Sequence, residues 1–227
     1  MKKIHLQTIT STNDYAKEIM DTIAENTLIT TDYQTHGRGH FSRHWLSAKK
    51  ENFLGTFVIK SFLSMPQALM IATLSVIDVL DTYALNGEIK LPNDIYIKHK
   101  KIAGILIEKN HPNTYCLLGI GVNLNGYEET LATKATSLKE QLKQSIDIDD
   151  FTNRLIRTFE KNYHMTSQDL FIRFRKNVFK TQQVYEGEKG IESLQDIDEN
   201  LNCKTKSSWV PCQKLAFLKH EKRNNYK

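Results

Sequence analysis

The chain of 227 residues is short of several things, and each shortage excludes a class of protein. It has three cysteines, Cys116, Cys203 and Cys212, an odd number at no metal-ligand spacing. A disulfide-stapled secreted fold and a cysteine-based zinc module are therefore excluded, and a reducing cytoplasm is the expected location. No apolar run approaches the roughly 20 residues of a membrane span, so no membrane partner is expected. The opening MKKIHLQTITSTND lacks the apolar stretch of a signal peptide. No internal repeat, low-complexity segment or G-x-x-x-x-G-K-[ST] phosphate loop is present. A basic face is also missing from most of the chain. Residues 1–200 carry 24 basic and 25 acidic residues, and the net charge of +5 arises after Leu201, where seven basic residues face one acid, Glu221. Such a terminus reads as a solvated end rather than a nucleic-acid footprint.

What is present is ordinary globular composition, 40% hydrophobic and 25% charged, in one large domain with a small appendage. Ile4 to Ile9 predicts a strand. Ser11 and Asp14 form a [ST]-x-x-[DE] helix start, followed by Tyr15, Ala16, Ile19, Met20 and Ile23 at helical spacing. Thr27–Thr31 and Phe53–Lys60 predict strands around a long glycine-bearing cationic loop, and loops of that length inside a compact domain are usually functional or disordered. A helix is predicted from Pro66 to about Leu85. A meander of strands follows over Glu88–Leu91, Ile95–Lys98, Lys101–Lys109 and Thr114–Asn123, with a turn at His111-Pro112-Asn113. Ile102 to Ile107 is apolar almost without alternation, as in a strand covered on both faces. Helices are predicted over Ser137–Leu142, Ile148–Tyr163 and Ser167–Val178. Strands and helices mix without a βαβ rhythm, which is an α+β pattern.

Three constellations carry chemistry. In Gln34-Thr35-His36-Gly37-Arg38-Gly39-His40-Phe41-Ser42-Arg43-His44-Trp45, glycines flanking an arginine let backbone N–H groups and a guanidinium converge on an anion. The alternative is a basic surface segment. His36, His40 and His44 recur every fourth residue, but that spacing aligns metal ligands only on a helix, which Gly37 and Gly39 oppose. The second is Lys90-Leu91-Pro92-Asn93-Asp94 followed by Lys101-Ile102-Ala103-Gly104-Ile105-Leu106-Ile107-Glu108. Lys101 opens an apolar strand, where an ammonium needs an anionic partner or an escape to solvent. The third is Leu118-Gly119-Ile120-Gly121-Val122-Asn123, whose glycines mark a bulge or the close approach of a ligand.

In this order STND, QTHGRGHFSRHW, KLPND, KIAGILIE, GIGVNLN and Ala135-Thr136-Ser137-Leu138 resemble the catalytic domain of biotin–protein ligases over about residues 4–178. The resemblance implies a mixed β-sheet with helices on one side, related to class II tRNA synthetases. It implies joining of biotin to ATP as biotinyl-5′-AMP and transfer to a lysine of the biotin carboxyl carrier domain of acetyl-CoA or pyruvate carboxylase. It places Ser11, Thr12, Asn13 and Gln34 at the biotin ureido ring, with Gly37, Gly39, Gly104, Gly119 and Val122 lining the biotin site. Lys101 and Arg38 become the catalytic cations between carboxylate and α-phosphate. Trp45 would cover the adenine, and His40, Arg43, Asn93, Asp94 and Asn123 would serve ATP and its Mg²⁺. No protein-only metal site is expected.

Three departures qualify this. The family's loop usually has an arginine where this chain has His40. The signature begins at Ile4, so a monofunctional form without a DNA-binding domain is expected, with room for a homodimer. Residues 181–227, beyond a catalytic domain of 1–180, match the family's small C-terminal β segment poorly and show no evident alternation. A lipoate or octanoate ligase on the same fold, or a non-catalytic biotin-binding regulator, are the rival readings.

Overall fold

The structure is a computed structural model that describes residues 1–23, 26–40, 43–60, 63–109, 115–178, 180, 183–187, 190–206 and 208–217. Seven strands form the main sheet: β1 (Lys2–Leu6), β2 (Thr27–Thr31), β3 (Phe53–Ile59), β4 (Glu88–Lys90), β5 (Asp94–Ile97), β6 (Lys100–Lys109) and β7 (Cys116–Val122). Their order is β1-β2-β3-β7-β6-β5-β4, with β1 and β2 parallel and every other pair antiparallel. The predicted turn at 111–113 lies outside the described residues. β1 stops at Leu6 rather than Ile9, and pairing resumes as a single bridge between Ile9 and Gln34, which brings Thr10 to Asn13 beside the start of the cationic loop.

The helices follow their caps. Ser11 accepts a hydrogen bond from the Asp14 N–H at the start of α1 (Thr12–Ile19), and Ser64 with Gln67 makes a reciprocal capping box on α2 (Met65–Thr82). α2 is apolar along most of its length because it lies in the core, against α4 (Ile148–Tyr163) and α5 (Ser167–Val178). These three long helices cover one face of the sheet, as expected; α1 lies on the other face, with Ala16 and Met20 against Ile29, Val58 and Leu117. Short α3 (Leu138–Leu142) follows β7.

Period-two geometry sorts the strands. Phe53, Phe57 and Ile59 of β3 and Leu118, Ile120 and Val122 of β7 point to the long helices, and Phe57 stacks on Phe159 at 4.0 Å. Thr56, Gly119 and Gly121 alternate with them and point the other way. In β6 a register shift opposite Ile95/Tyr96 inserts Ile102 as an extra residue. Ile102 and Ala103 can then both join the core, and Lys101 shares the opposite face with Gly104 instead of being driven into the helices. The unbroken apolar run in the sequence therefore reflects a bulge and not a strand buried equally on both faces.

After α5 the chain builds two three-stranded sheets. One joins β8 (Val184–Gly187), β9 (Gly190–Ser193) and β13 (Ala216–Phe217); the other joins β10 (Asp196–Ile197), β11 (Asn202–Lys204) and β12 (Trp209–Pro211). The alternation missed in the sequence is present over Leu201, Cys203 and Thr205, which are buried while Asn202 and Lys204 face outward. Cysteine acts here as a small hydrophobe. Leu194, Ile197, Leu201, Cys203 and Cys212 belong to the same cluster as the main core, so hydrophobic packing runs without a break past residue 180.

Candidate active site

The glycine face of the sheet floors a cleft of about 430 Å³. At one end the cap of α1 meets β3 and β7. The Thr12 N–H and hydroxyl both donate to Gln34 Oε1, at 2.7 and 3.1 Å. The Thr56 hydroxyl lies 2.6 Å from Asn13 Oδ1 and 2.8 Å from Thr12 Oγ1. A carbonyl oxygen can only accept, so the Thr56 proton goes to Asn13, and the Asn13 amide then donates to Glu108 Oε2 at 2.8 Å. A Cβ on Gly119 would sit 2.3 Å from Asn13 Oδ1, so glycine is required for this polar cluster to rest on the sheet.

Within the cationic loop, residues 37–40 pair with residues 43–45. Trp45 N–H donates to the Gly37 carbonyl at 2.9 Å, Gly39 N–H to the Arg43 carbonyl at 2.8 Å, and Arg38 bridges His44 in antiparallel fashion. Gly37 is needed because a Cβ there would meet the Trp45 carbonyl oxygen at 2.5 Å. The Trp45 indole rests on two more glycines: a Cβ at Gly121 would be 2.6 Å from it, and one at Gly104 3.0 Å. Its Nε1 is buried and has no hydrogen-bond partner among the described residues. Lys101 lies 5.5 Å from the indole centroid and 2.6 Å from Asp94 Oδ1. Asn93 is fixed by an amide donation to the Ile105 carbonyl at 2.7 Å.

Most residues expected in the site converge on this cleft: Ser11, Thr12, Asn13 and Gln34 at one end, His40, Arg43, Trp45, Asn93, Asp94 and Lys101 at the other, with Gly39, Gly104 and Gly119 between. Four depart from expectation. Gly37 does not line the cleft but is buried under the Trp45 backbone. Val122 points into the helix-side core, since it is one residue out of phase with Gly119 and Gly121. Asn123 is buried away from the cleft, where its amide donates to the Thr136 carbonyl and its backbone bonds Ile102 and Leu138. Arg38 lines the cleft, but its fork is taken by carboxylates: Nη1 by Asp14 at 2.6 Å, and both terminal nitrogens by Glu108 at 3.2 and 3.0 Å.

Charge follows these contacts. Burial alone would push the Glu108 carboxyl up, but hydrogen bonds from Lys17 and Asn13 and the nearby Lys17 and Arg38 charges hold it below the usual carboxylate value. Burial pushes the His40 imidazole below its ordinary value; Asp94 and Glu108 oppose that and Lys101 reinforces it. Several participants had no clear signal. Asp14 reads in the sequence as a helix cap, Glu108 as the end of a strand and Thr56 as one β-branched residue among many. Gln213, Lys214 and Leu215, which form one wall, come from the poorly matching tail.

The chain belongs to the biotin/lipoate A/B protein ligase family, whose pattern matches residues 5–125. Within it, the chain resembles the biotin–protein ligases. It is 31% identical over 172 residues to the bifunctional ligase/repressor BirA of Bacillus spizizenii, covering 70% of this chain and 53% of that protein. It is 30% identical over 165 residues to the biotin–[acetyl-CoA-carboxylase] ligase of Paracoccus denitrificans, covering 66% and 68%. The chain thus spans about half the length of the BirA relative. The biotin protein ligase of Aquifex aeolicus, solved in complex with biotin and ATP, shares the fold with a TM-score of 0.82 at 22% identity, over 96% of this chain and 99% of that one.

Proposed function

We propose that this cleft joins biotin to ATP, giving biotinyl-5′-AMP and pyrophosphate, and passes the biotinyl group to a lysine of a biotin carboxyl carrier domain. The observation that carries the reading is the glycine-floored cleft with Lys101 held by Asp94 at its centre. A carboxylate and an α-phosphate repel each other, so their union needs fixed positive charge at the point of contact. Lys101 supplies it when a substrate anion replaces Asp94. The polar end built from Thr12, Asn13, Gln34 and Thr56 offers paired donors and acceptors suited to a ureido ring, and Gly119 leaves room for it. The indole of Trp45, backed by Gly104 and Gly121, offers a flat surface for adenine. Gly104 in this reading makes space for Trp45 and Lys101 rather than for biotin.

Orientation and charge supply the rate, and no side chain forms a covalent intermediate. Among the described residues no three His, Cys, Asp or Glu side chains converge as a metal cage. Asp94 and Asn93 still fit a Mg²⁺ that arrives on the triphosphate, because that ion commonly takes one or two protein carboxylates beside its phosphates and waters. Such an ion would neutralise phosphate charge. The test is ATP-dependent transfer of labelled biotin to an isolated carrier domain, with lipoate as competitor. Labelled carrier with ATP and none without it is expected; preferential transfer of lipoate would overturn the choice of substrate.

A further inference from the structure

Arg38 sits in the cationic loop, yet its charge is already balanced. Arg38 and Lys17 face Asp14 and Glu108 in a closed set of two cations and two anions, with Lys17 2.8 Å from Glu108 and 3.8 Å from Asp14. The guanidinium makes three hydrogen bonds to those carboxylates. Pulling it onto a substrate anion would leave a half-buried Glu108 with only Lys17 and the Asn13 amide. Lys101, by contrast, has a single carboxylate partner, and Arg43 has no ion pair among the described residues. The backbone of Arg38 is paired to His44, and Gly37 and Gly39 on either side bond Trp45 and Arg43. Whatever holds Arg38 therefore holds the paired segment that carries Arg43 and Trp45.

We propose that Glu108, with Asp14, is a positioning residue that anchors the paired segments 37–40 and 43–45 through Arg38, and that Lys101 and Arg43 are the cations that meet the substrate anions. The same Glu108 oxygen that accepts from Arg38 Nη1 accepts from Asn13, so the anchor also fixes the amide at the opposite end of the cleft. For its kinetic arm this inference rests on the ligase reading above.

The test is a double-mutant cycle in the full chain with Arg38→Ala, Glu108→Ala and both together, plus Arg38→Lys and the isosteric Glu108→Gln. It is read first as biotin- and ATP-dependent pyrophosphate release, and second as acrylamide quenching of Trp45 in a Trp209→Phe background, with circular dichroism confirming folding. A shared interaction is non-additive. Each alanine variant is expected to lower kcat/KM for ATP about tenfold, the size expected for loss of one charge-assisted contact at a partly exposed site. The pair should fall little further. Arg38→Lys should behave like Arg38→Ala, because an ammonium cannot reproduce the fork. Trp45 should become more accessible in every variant, Glu108→Gln included. An Arg38→Ala loss far larger than that of Glu108→Ala, multiplying in the pair and rescued by lysine, would make Arg38 the anion clamp and overturn the proposal. Should wild type release no pyrophosphate, the ligase reading fails while the quenching arm still decides: unchanged Trp45 accessibility in Glu108→Gln and Glu108→Ala overturns the anchor.

Discussion

The two faces of the central sheet are made by the same strands and do opposite things. On the helix face, alternate residues of β3, β6 and β7 are large and apolar, and they interlock with α2, α4 and α5. On the other face, beside the Val58 and Leu117 patch that packs against α1, the intervening residues include Thr56, Gly104, Gly119, Gly121 and Glu108, and the volume they give up is taken by Asn13, Trp45 and Lys101. Stability is concentrated on the first face and chemistry on the second. Glycine in a strand interior costs stability, so three of them on one face mark where the fold leaves room for something else.

Substitutions on either face can break this comparison. The largest effect belongs to the helix face. Phe57→Ala should cost about 3–5 kcal/mol of folding stability by denaturant titration, since it removes a fully buried ring stacked on Phe159. A loss below about 1 kcal/mol would mean that the helix face does not carry the core. On the cleft face, Lys101→Ala should lower adenylate formation on the order of 10²–10³-fold in a folded protein. Near-normal pyrophosphate release would remove Lys101 from the chemistry. Trp45→Ala should weaken nucleotide use by roughly 1–3 kcal/mol, the worth of one base stacked on an aromatic ring. Calorimetry should find biotin affinity nearly intact; equal loss of both ligands would place Trp45 elsewhere.

The smallest effect is a pH dependence at His40. Its pKa lies below the ordinary histidine value, mainly through burial, so it is neutral at pH 7 and gains its proton only as pH falls through that lowered value. A lowered histidine pKa also means that the folded chain takes up this proton less readily than the unfolded one, so His40 costs stability as pH drops below about 6.5. Retention of a phosphate-bearing intermediate should nevertheless rise over that range, and His40→Arg should make retention strong and independent of pH. Matching dissociation rates for both proteins at pH 6 and pH 8 would remove His40 from the site. Glu108 has the opposite sign. Its carboxyl pKa is depressed, so the stability it contributes is present at neutral pH and is lost only as pH falls below the usual glutamate range.

Much of this was legible in the sequence because local rules suffice for it. A cap and helical spacing mark α1, a proline marks the start of α2, and the glycine motifs mark the cleft floor. What was not legible depends on pairing. A bulge at Ile102 decides which face Lys101 takes, and it is set by β5 across the sheet. Val122 and Asn123 sit inside a motif, but strand phase sends one to the core and a backbone network holds the other. Arg38 carries the charge expected of an anion-binding group, and only the tertiary fold shows that Asp14 and Glu108 already hold it. The tail hid its alternation because two of its three inward positions, Cys203 and Thr205, are a cysteine and a threonine.

The division of labour between the faces is tested most directly at two adjacent residues of β7, Leu118 and Gly119, by thermal denaturation with and without biotin. A ligand that binds only the folded state raises the midpoint in proportion to its affinity. Leu118→Ala should lower the midpoint of the free protein by several degrees and keep the rise on adding biotin. Gly119→Ala, whose Cβ collides with Asn13 and disturbs its hydrogen bonds, should also lower the midpoint of the free protein, by no more than Leu118→Ala does, but abolish that rise. The reverse pattern, or the same pattern in both variants, would contradict the assignment of core and ligand site to opposite faces.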